Sequence, residues 1–259
     1  MAVDIRASGA ALEGRVVVVT GGNGGIGLAI AEACARAGAS VAVWAMNPDK
    51  NAAAVERLVS SGARAVAHRC DVRSEEQVEA ALNRTVGELG RVDTLFANAG
   101  IKPVTPFLDM GLEEWRQVMA VNLDGAFLSM RAAARHMVAR GGGGSLVAVS
   151  SVSAFDGSPG MEHYAASKAG LLALVRSVAV ELARHGVRCN ALVPGFVDTE
   201  MTADWRRDDR MMDATIRRTP ARRWGSPADV APAAVFLADP EYRFHTGATL
   251  VVDGGYSVA

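Results

Sequence analysis

Val16–Val19 is an unbroken run of valines that leads straight into Thr20-Gly-Gly-Asn-Gly-Gly-Ile-Gly27 and then into LAIAEACARAG, residues 28–38. A β-branched run with no polar alternation fits a strand buried on both faces, as in a parallel sheet. The segment after it has helical periodicity and closes on Gly38. A strand, a glycine-rich turn and a helix in direct succession aim backbone N–H groups at a diphosphate. The glycines allow the tight turn and let a ligand approach the backbone, whereas an ordinary left-handed turn needs far fewer of them. Gly21, Asn23, Gly24, Gly25, Ile26 and Gly27 are therefore candidate cofactor contacts.

The rest of the chain repeats the strand–helix alternation. Strands are expected at Ser40–Ala45, Ala65–Arg69, Val92–Ala97, Leu146–Ser150, Val187–Val193 and Thr249–Val252. Helices are expected over 49–61, from near Ser74 to Glu88, over Leu112–Val121 and Asp124–Ala139, from Tyr164 to about His185, and over Pro227–Leu237. Asn122 falls in the break between two of these helices, where a polar residue either solvates a kink or serves a site. Strand–helix repetition of this kind predicts an α/β fold, a Rossmann-like doubly wound parallel sheet of about seven strands. The 259 residues, half of them hydrophobic, suit one domain over 15–259, preceded by a polar arm over 1–14. Residues 200–224 are polar and arginine-rich but carry Met201, Trp205, Met211, Met212 and Trp224, which reads as a substrate flap with an apolar underside.

Charge and cysteine usage narrow the function classes. A net charge of −1 gives no broad field for nucleic acid or an anionic membrane. The three cysteines are scattered, without a CxxC, and read as buried thiols of a reducing compartment rather than metal ligands. The N-terminus lacks the pattern of a signal peptide, and no apolar stretch is long enough to span a bilayer. The expectation is a cytoplasmic protein with no metal, acting on a small molecule.

The chemistry concentrates in Ser151–Lys168, SVSAFDGSPGMEHYAASK. Tyr164 and Lys168 lie four residues apart, on one face of a helix. A phenol beside an ammonium predicts a proton donor with a lowered pKa. Tyrosine titrates near ~10 in water, and bringing it to ~7 needs roughly 4 kcal/mol. One cation at ~4 Å supplies about that in an effective dielectric of ~20. The bland alternative is a solvated helix face with an incidental pair. Ser151 stands where a strand ends, thirteen residues before the tyrosine. Asp156 to His163 faces the substrate, and Glu162 and His163 read equally as packing, interface or substrate contacts.

The second strand ends in Trp44-Ala45-Met46-Asn47, where a dinucleotide fold meets the adenosine ribose. Met46 and Asn47 are candidate contacts, and Lys50 is the nearest cation. With neither an acid nor an arginine there, nothing excludes NADP and nothing dedicated attracts it. Asp71, followed by Val72, accepts an adenine amino group or caps the next helix, where Ser74-Glu-Glu-Gln77 forms a capping box. Asn98-Ala99-Gly100 lets the chain pass beneath a bound cofactor.

Together these residues resemble the short-chain dehydrogenase/reductases of the single-domain, ~250-residue type. The matching pieces are TGGNGGIG at 20–27, DV at 71–72, NAG at 98–100, VNLDGAF at 121–127, SS at 150–151, YAASK at 164–168, PGFVDT at 194–199 and GATLVVDGGYS at 247–257. The resemblance implies an NAD(P)-dependent oxidoreductase interconverting a secondary alcohol and a ketone. It makes Tyr164 the general acid/base, Lys168 the group that tunes it and holds the nicotinamide ribose, and Ser151 the holder of the substrate oxygen. It has Asn122 hold a water linking Lys168 to solvent. It has Pro194, Gly195, Val197 and Thr199 clasp the nicotinamide side. It also implies a homotetramer.

Within the family the cofactor preference leans to NADP, with NAD or dual use as the alternative, because no carboxylate stands at Ala45. ANAG at 97–100 replaces the commoner NNAG but keeps Asn98. Substrates could be 3-oxoacyl thioesters, sugars or polyols, cyclic alcohols or steroids, with Arg140 and Arg184 as candidates for docking a carrier protein. Two other readings stay open: a catalytically silent cofactor-binding regulator, and a sugar-nucleotide epimerase or dehydratase, which shares the Tyr/Lys pair.

Overall fold

The computed structural model describes residues 11–259; residues 1–10 of the expected arm lie outside them. Seven parallel strands form one sheet in the order β3-β2-β1-β4-β5-β6-β7. They are β1 (Val16–Thr20), β2 (Ser40–Ala45), β3 (Ala65–Arg69), β4 (Thr94–Ala97), β5 (Gly144–Val149), β6 (Val187–Pro194) and β7 (Thr249–Val252). The valine run is buried along its whole length, as its lack of alternation requires. Strand β1 pairs with β2 on one side and β4 on the other, so the strand order reverses beside it. That reversal opens a crevice at the carboxyl ends of β1 and β4.

Helices cover both faces. Helices α1 (Gly25–Arg36), α2 (Pro48–Ser60) and α8 (Pro227–Ala238) pack on one side, through a core that includes Ile30, Leu58, Phe96 and Leu237. Helices α3 (Glu75–Leu89), α5 (Gly125–Arg140) and α6 (Glu162–Leu182) pack on the other, around Trp44, Leu95, Met137 and Leu171. Trp44 is fully buried and satisfies its indole N–H on Thr85 Oγ1 at 3.0 Å. A short helix α4 (Leu112–Met119) precedes α5, and α7 (Asp209–Arg218) lies within the segment expected as a flap.

Two expectations are corrected. No break separates α4 from α5: residues Ala120–Asp124 form a single π-helical turn that joins them. The wide turn inserts one residue and re-aims a side chain, which buries Asn122 at 1 % exposure. The capping box at 74–77 is only half formed. Ser74 accepts the Gln77 N–H, but Gln77 Oε1 accepts the Asp71 N–H instead of that of Ser74. The Asp71 carboxylate is held by the Arg73 side chain and backbone N–H, and the N-cap of α3 is Ser74.

The glycine turn is packed tightly on one side and open on the other. A Cβ on Gly27 would fall inside van der Waals distance of Asn98 Nδ2 and the Gly21 carbonyl, whereas one on Gly24 would meet nothing. Gly24 is extended at φ −170°, a conformation open to any residue. Gly27→Ala is therefore expected to cost about 1–3 kcal/mol of stability by overpacking. Gly24→Ala should cost less than about 1 kcal/mol. Chemical denaturation midpoints of the two variants test this, and equal losses would contradict it.

Candidate active site

The active-site crevice begins at the N-terminus of α1. Its N-cap, Gly24, has no side chain to satisfy the first-turn N–H groups, and the first turn has no acidic residue. Those donors border a cavity of about 350 Å³ lined by Gly21, Asn23, Gly24, Gly25, Ile26 and Gly27. An uncapped helix start with glycines over it fits the diphosphate of a dinucleotide. Asn23 Nδ2 donates to Asn51 Oδ1 at 2.8 Å, and Asn51 Nδ2 to the Ala45 carbonyl at 2.9 Å, which ties the glycine turn to α2.

The floor is stitched between β1 and β4. Thr20 Oγ1 accepts the backbone N–H groups of Asn98 and Ala99, at 2.9 and 3.0 Å. Asn98 Nδ2 returns a bond to the Thr20 carbonyl at 2.9 Å. Asn98, Ala99 and Gly100 all line the cavity, and the Asn98 amide serves the protein's own backbone.

The far wall is the junction of β5 and α6. Ser151, extended, starts a short 3₁₀ turn, Val152–Ala154, and its Oγ accepts the Ser153 N–H at 3.2 Å. Tyr164 is the third residue of α6 and Lys168 lies one turn on; both are buried and both face the cavity. Lys168 Nζ donates to the Val149 carbonyl at 2.8 Å, and Ser150 Oγ donates to the Lys168 carbonyl at 2.8 Å. Asn122 Oδ1 accepts the Ile101 N–H at 2.8 Å, while its Nδ2 donates to the Ile101 carbonyl and to Ser167 Oγ. Its side-chain donors are thus both spent on protein atoms, and it reaches the cavity only through its neighbours. Gly100 separates the two groups: a Cβ there would lie 3.3 Å from Asn122 Oδ1 and 3.6 Å from Lys168 Nζ.

The expected lowering of the tyrosine pKa is reversed in the protein without cofactor. Burial raises the Tyr164 phenol above its ordinary value, and the hydrogen bond with Ser151 offsets part of that. The ammonium is 5.5 Å from the Tyr164 ring centroid and is engaged with Val149. Burial also brings Lys168 from 10.5 down to about 8. Desolvation is the leading cause of both shifts, and the four-residue spacing alone could not reveal it.

His163 faces away from the cavity. Its Nδ1 accepts the Tyr164 N–H at 2.8 Å, so the proton is on Nε2, 3.0 Å from Glu114 Oε1. Hydrogen bonds from Thr105 and His163 hold the Glu114 carboxyl below the usual range. Glu162 accepts the Gly160 N–H. Glu162 thus holds the loop before α6, and His163 ties α6 to α4.

The fourth wall comes from 194–224. Pro194, Gly195, Val197 and Thr199 line the cavity, together with Phe196, Glu200, Met201, Thr202 and Trp205. Phe196 stands at the centre of an aromatic cluster, its ring centroid 5.9 Å from Trp205, 5.5 Å from Trp224 and 4.9 Å from Tyr256. Glu200 reaches Lys50 of α2 at 2.6 Å, spanning the cavity mouth. Lys102 places Nζ 2.9 Å from the Trp205 ring centroid.

Several expected contacts fall outside the lining. Met46 is exposed, Asn47 Oδ1 caps α2 by accepting the Lys50 N–H, Asp71 is paired with Arg73, and Val72 is buried against Gly125. Arg140 and Arg184 end α5 and follow α6, just before β5 and β6 begin. They therefore sit at the amino ends of the parallel strands, the rim of the sheet opposite the site, and Arg140 donates to the Gly143 carbonyl. Sequence reasoning missed Asn51, Lys102, Glu114, Glu200 and Phe196. Only Lys102 carried a signal, as one of three lysines and two residues beyond Gly100.

A buried ammonium at about 8, against 10.5 when unfolded, leaves the unfolded chain binding the extra proton between those values. Stability therefore falls as pH drops from the unfolded value through the folded one, and the penalty persists below it. Lys168→Met should be more stable than the parent at pH 7, by about 1–3 kcal/mol. The gain should fade as pH rises through that window. Denaturant unfolding of both proteins at neutral and alkaline pH tests this; a pH-independent difference would contradict it.

The protein-family model described as "Enoyl-(Acyl carrier protein) reductase" matches residues 21–257. The L-rhamnose 1-dehydrogenase (NAD(P)(+)) of Sphingomonas sp. strain SKA58 is 41 % identical over 248 residues, covering 95 % of this chain and 98 % of that protein. A short-chain type dehydrogenase/reductase from Mycobacterium marinum superposes with a TM-score of 0.92 at 36 % identity, over 96 % of this chain and 97 % of that one. A gluconate 5-dehydrogenase from Burkholderia cenocepacia J2315, solved in complex with NADP and tartrate, does so with a TM-score of 0.92 at 37 % identity, over 96 % and 97 % of the two chains. With the glycine turn, the β5–α6 wall and the sheet order in place, the chain belongs to the short-chain dehydrogenase/reductases and is an NAD(P)-dependent oxidoreductase of alcohols and ketones.

Proposed function

We propose that the cavity oxidises a secondary alcohol of a sugar or sugar acid, or reduces the matching ketone, with Tyr164 moving the proton. The observation that carries this is the placement of Ser151 and Tyr164 side by side on the wall that also holds Lys168, facing one cavity with the α1 N-terminus. The cofactor supplies the hydride chemistry when bound. Its fit rests on the uncapped α1 start, which would hold the diphosphate, and on Asn98–Gly100 and Pro194–Thr199, which would flank the nicotinamide half.

The protein's own contribution is proton handling and orientation. Ser151 and Tyr164 together hold the substrate oxygen, and the phenol O–H gives its proton to that oxygen during reduction and takes it back during oxidation. A raised phenol pKa keeps the proton on Tyr164 until the substrate oxygen acquires charge. The Lys168 ammonium lies close enough to favour the phenolate once the phenol has given up its proton. Replacement of the proton passes along the Lys168–Asn122 side, across Gly100. The segment 200–224 acts as the flap, held by the Lys50–Glu200 pair and by Arg218, which reaches Asp156 in the β5–α6 loop at 2.8 Å.

The sugar class is favoured over a carrier-bound thioester by the lining. Ser151 and Ser153 offer hydroxyls on the wall that carries Tyr164. The arginines expected to dock a carrier lie at the far rim of the sheet. Two relatives with near-complete coverage are named for rhamnose and gluconate chemistry. A cytoplasmic homotetramer completes the reading. Exposed apolar side chains on α5 and α6, Phe127 at 42 % and Val180 at 82 %, supply one face, and the edge strand β7 a second. Among the described residues no helix is long and apolar enough to cross a membrane.

Tyr164→Phe should lose at least about a thousandfold in turnover. It should bind NADPH with affinity within a few-fold of the parent, read by tryptophan fluorescence. Retained turnover would sink the assignment. Ala45→Asp should move the NAD-to-NADP ratio of catalytic efficiencies towards NAD by at least about tenfold, since a carboxylate there repels a 2′-phosphate. An unchanged ratio would place the ribose elsewhere. Light scattering should give a particle four times the 27.0 kDa chain.

A further inference from the structure

Lys102 is the group in the cavity whose charge the fold leaves unanswered. The chain has three lysines. Lys168 donates to Val149, and Lys50 is paired with Glu200. Lys102 forms neither a hydrogen bond nor an ion pair with any oxygen among the described residues; its ammonium rests on the Trp205 ring, 2.9 Å from the centroid. It lines the cavity that holds Tyr164 and Ser151 and also the opening beside it, bordered by Glu114 and Gln117. Burial outweighs the attraction of Asp204 and pulls it down to about 8.

An ammonium has three donors, and an aromatic face answers at most one direction of its charge. The two carboxylates that line that opening are already engaged, and Asp204, whose charge reaches the ammonium, is paired with Arg207 at the surface. Glu114 is held by His163 and Thr105, and Glu200 by Lys50. A partly desolvated cation with free donors, lining the same cavity as the reacting phenol, is a receptor for an anion brought by the substrate. Charge-assisted bonds to a carboxylate are roughly twice as strong as those to a neutral hydroxyl. The Trp205 ring, meanwhile, gives an apolar surface for the carbon chain.

We propose that Lys102 anchors a carboxylate of the substrate, so that the site takes polyhydroxy acids in preference to the neutral sugars of the same skeleton. This rests on the oxidoreductase reading of the cavity. It makes Lys102 the residue that separates the sugar acids from the neutral sugars and sets which end of the chain lies away from Tyr164.

The test uses matched pairs that differ only in carboxylate against CH₂OH. 5-Keto-D-gluconate and L-sorbose serve for reduction. D-Gluconate and D-glucitol serve for binding to the NADP⁺-loaded protein, followed by tryptophan fluorescence. The parent should favour the acid at least tenfold in both kcat/KM and affinity. Lys102→Met should shrink that ratio at least tenfold, chiefly through KM of the acid, and Lys102→Arg should restore most of it. NADPH affinity and thermal melting of the same variants separate a lost anchor from a misfolded or cofactor-free site. An acid-to-neutral ratio near one in the parent, or an unchanged ratio in Lys102→Met, would overturn the proposal. If neither ketone is turned over, the sugar and sugar-acid reading of the cavity fails on its own account, and the D-gluconate to D-glucitol affinity ratio still decides the role of Lys102.

Discussion

A single buried ammonium organises the site. Lys168 Nζ is tied to the last carbonyl of β5, and the Lys168 carbonyl receives Ser150 Oγ from the residue that follows the strand. These reciprocal bonds fix the start of α6 against the end of β5. That in turn fixes Tyr164 opposite Ser151. Holding a cation there costs stability, because burial opposes its charge. The sheet supplies the rigidity that sustains this cost: β5 and β6 are buried along nearly their whole length and are packed by α6 from one side. The functional end of the fold, which carries this desolvation cost, thus rests on its most regular part.

What the residues disclose in advance follows from the range of the forces involved. The valine run, the glycine turn and the helix after it are local, and all three are found where the pattern puts them. The Tyr164–Lys168 pair is also local, being one helical turn. The tyrosine pKa is not. It depends on how much water the completed wall excludes, and the wall includes residues from four separate segments. Asn122 was recognisable as a polar residue in an apolar region, but its π-helical turn packs against α6, where its bond to Ser167 spans forty-five residues of chain. The Glu114–His163 bond spans forty-nine residues of chain, and Lys102 meets Trp205 only once the 194–224 segment has folded back. Arg140 looked like a docking cation by type alone; its place before β5 puts it at the wrong rim of a parallel sheet.

The segment that closes the cavity has a different physical character from the sheet it covers. Its arginines are paired with nearby acids at the surface, as with Arg206–Asp198 and Arg223–Asp229. Its aromatic residues converge on Phe196 beneath. Surface pairs of this kind contribute little to stability. The aromatic cluster is what holds the segment down. Such a cover can be loosened without cost to the sheet, which suits an element that must admit and release ligands.

The most direct measurement of the central claim is the titration of the Tyr164 phenol itself. Labelling tyrosine at Cζ gives three resonances, from Tyr164, Tyr242 and Tyr256, and Tyr164→Phe assigns the one that matters. The phenol should titrate above its ordinary value of 10.0 in the free protein, where burial dominates. It should fall in the NADP⁺ complex, as positive charge enters the cavity that the phenol faces. A phenol that titrates at the same pH in both forms would leave Tyr164 unable to exchange its proton near neutrality, and would contradict its role as the acid and base of the reaction.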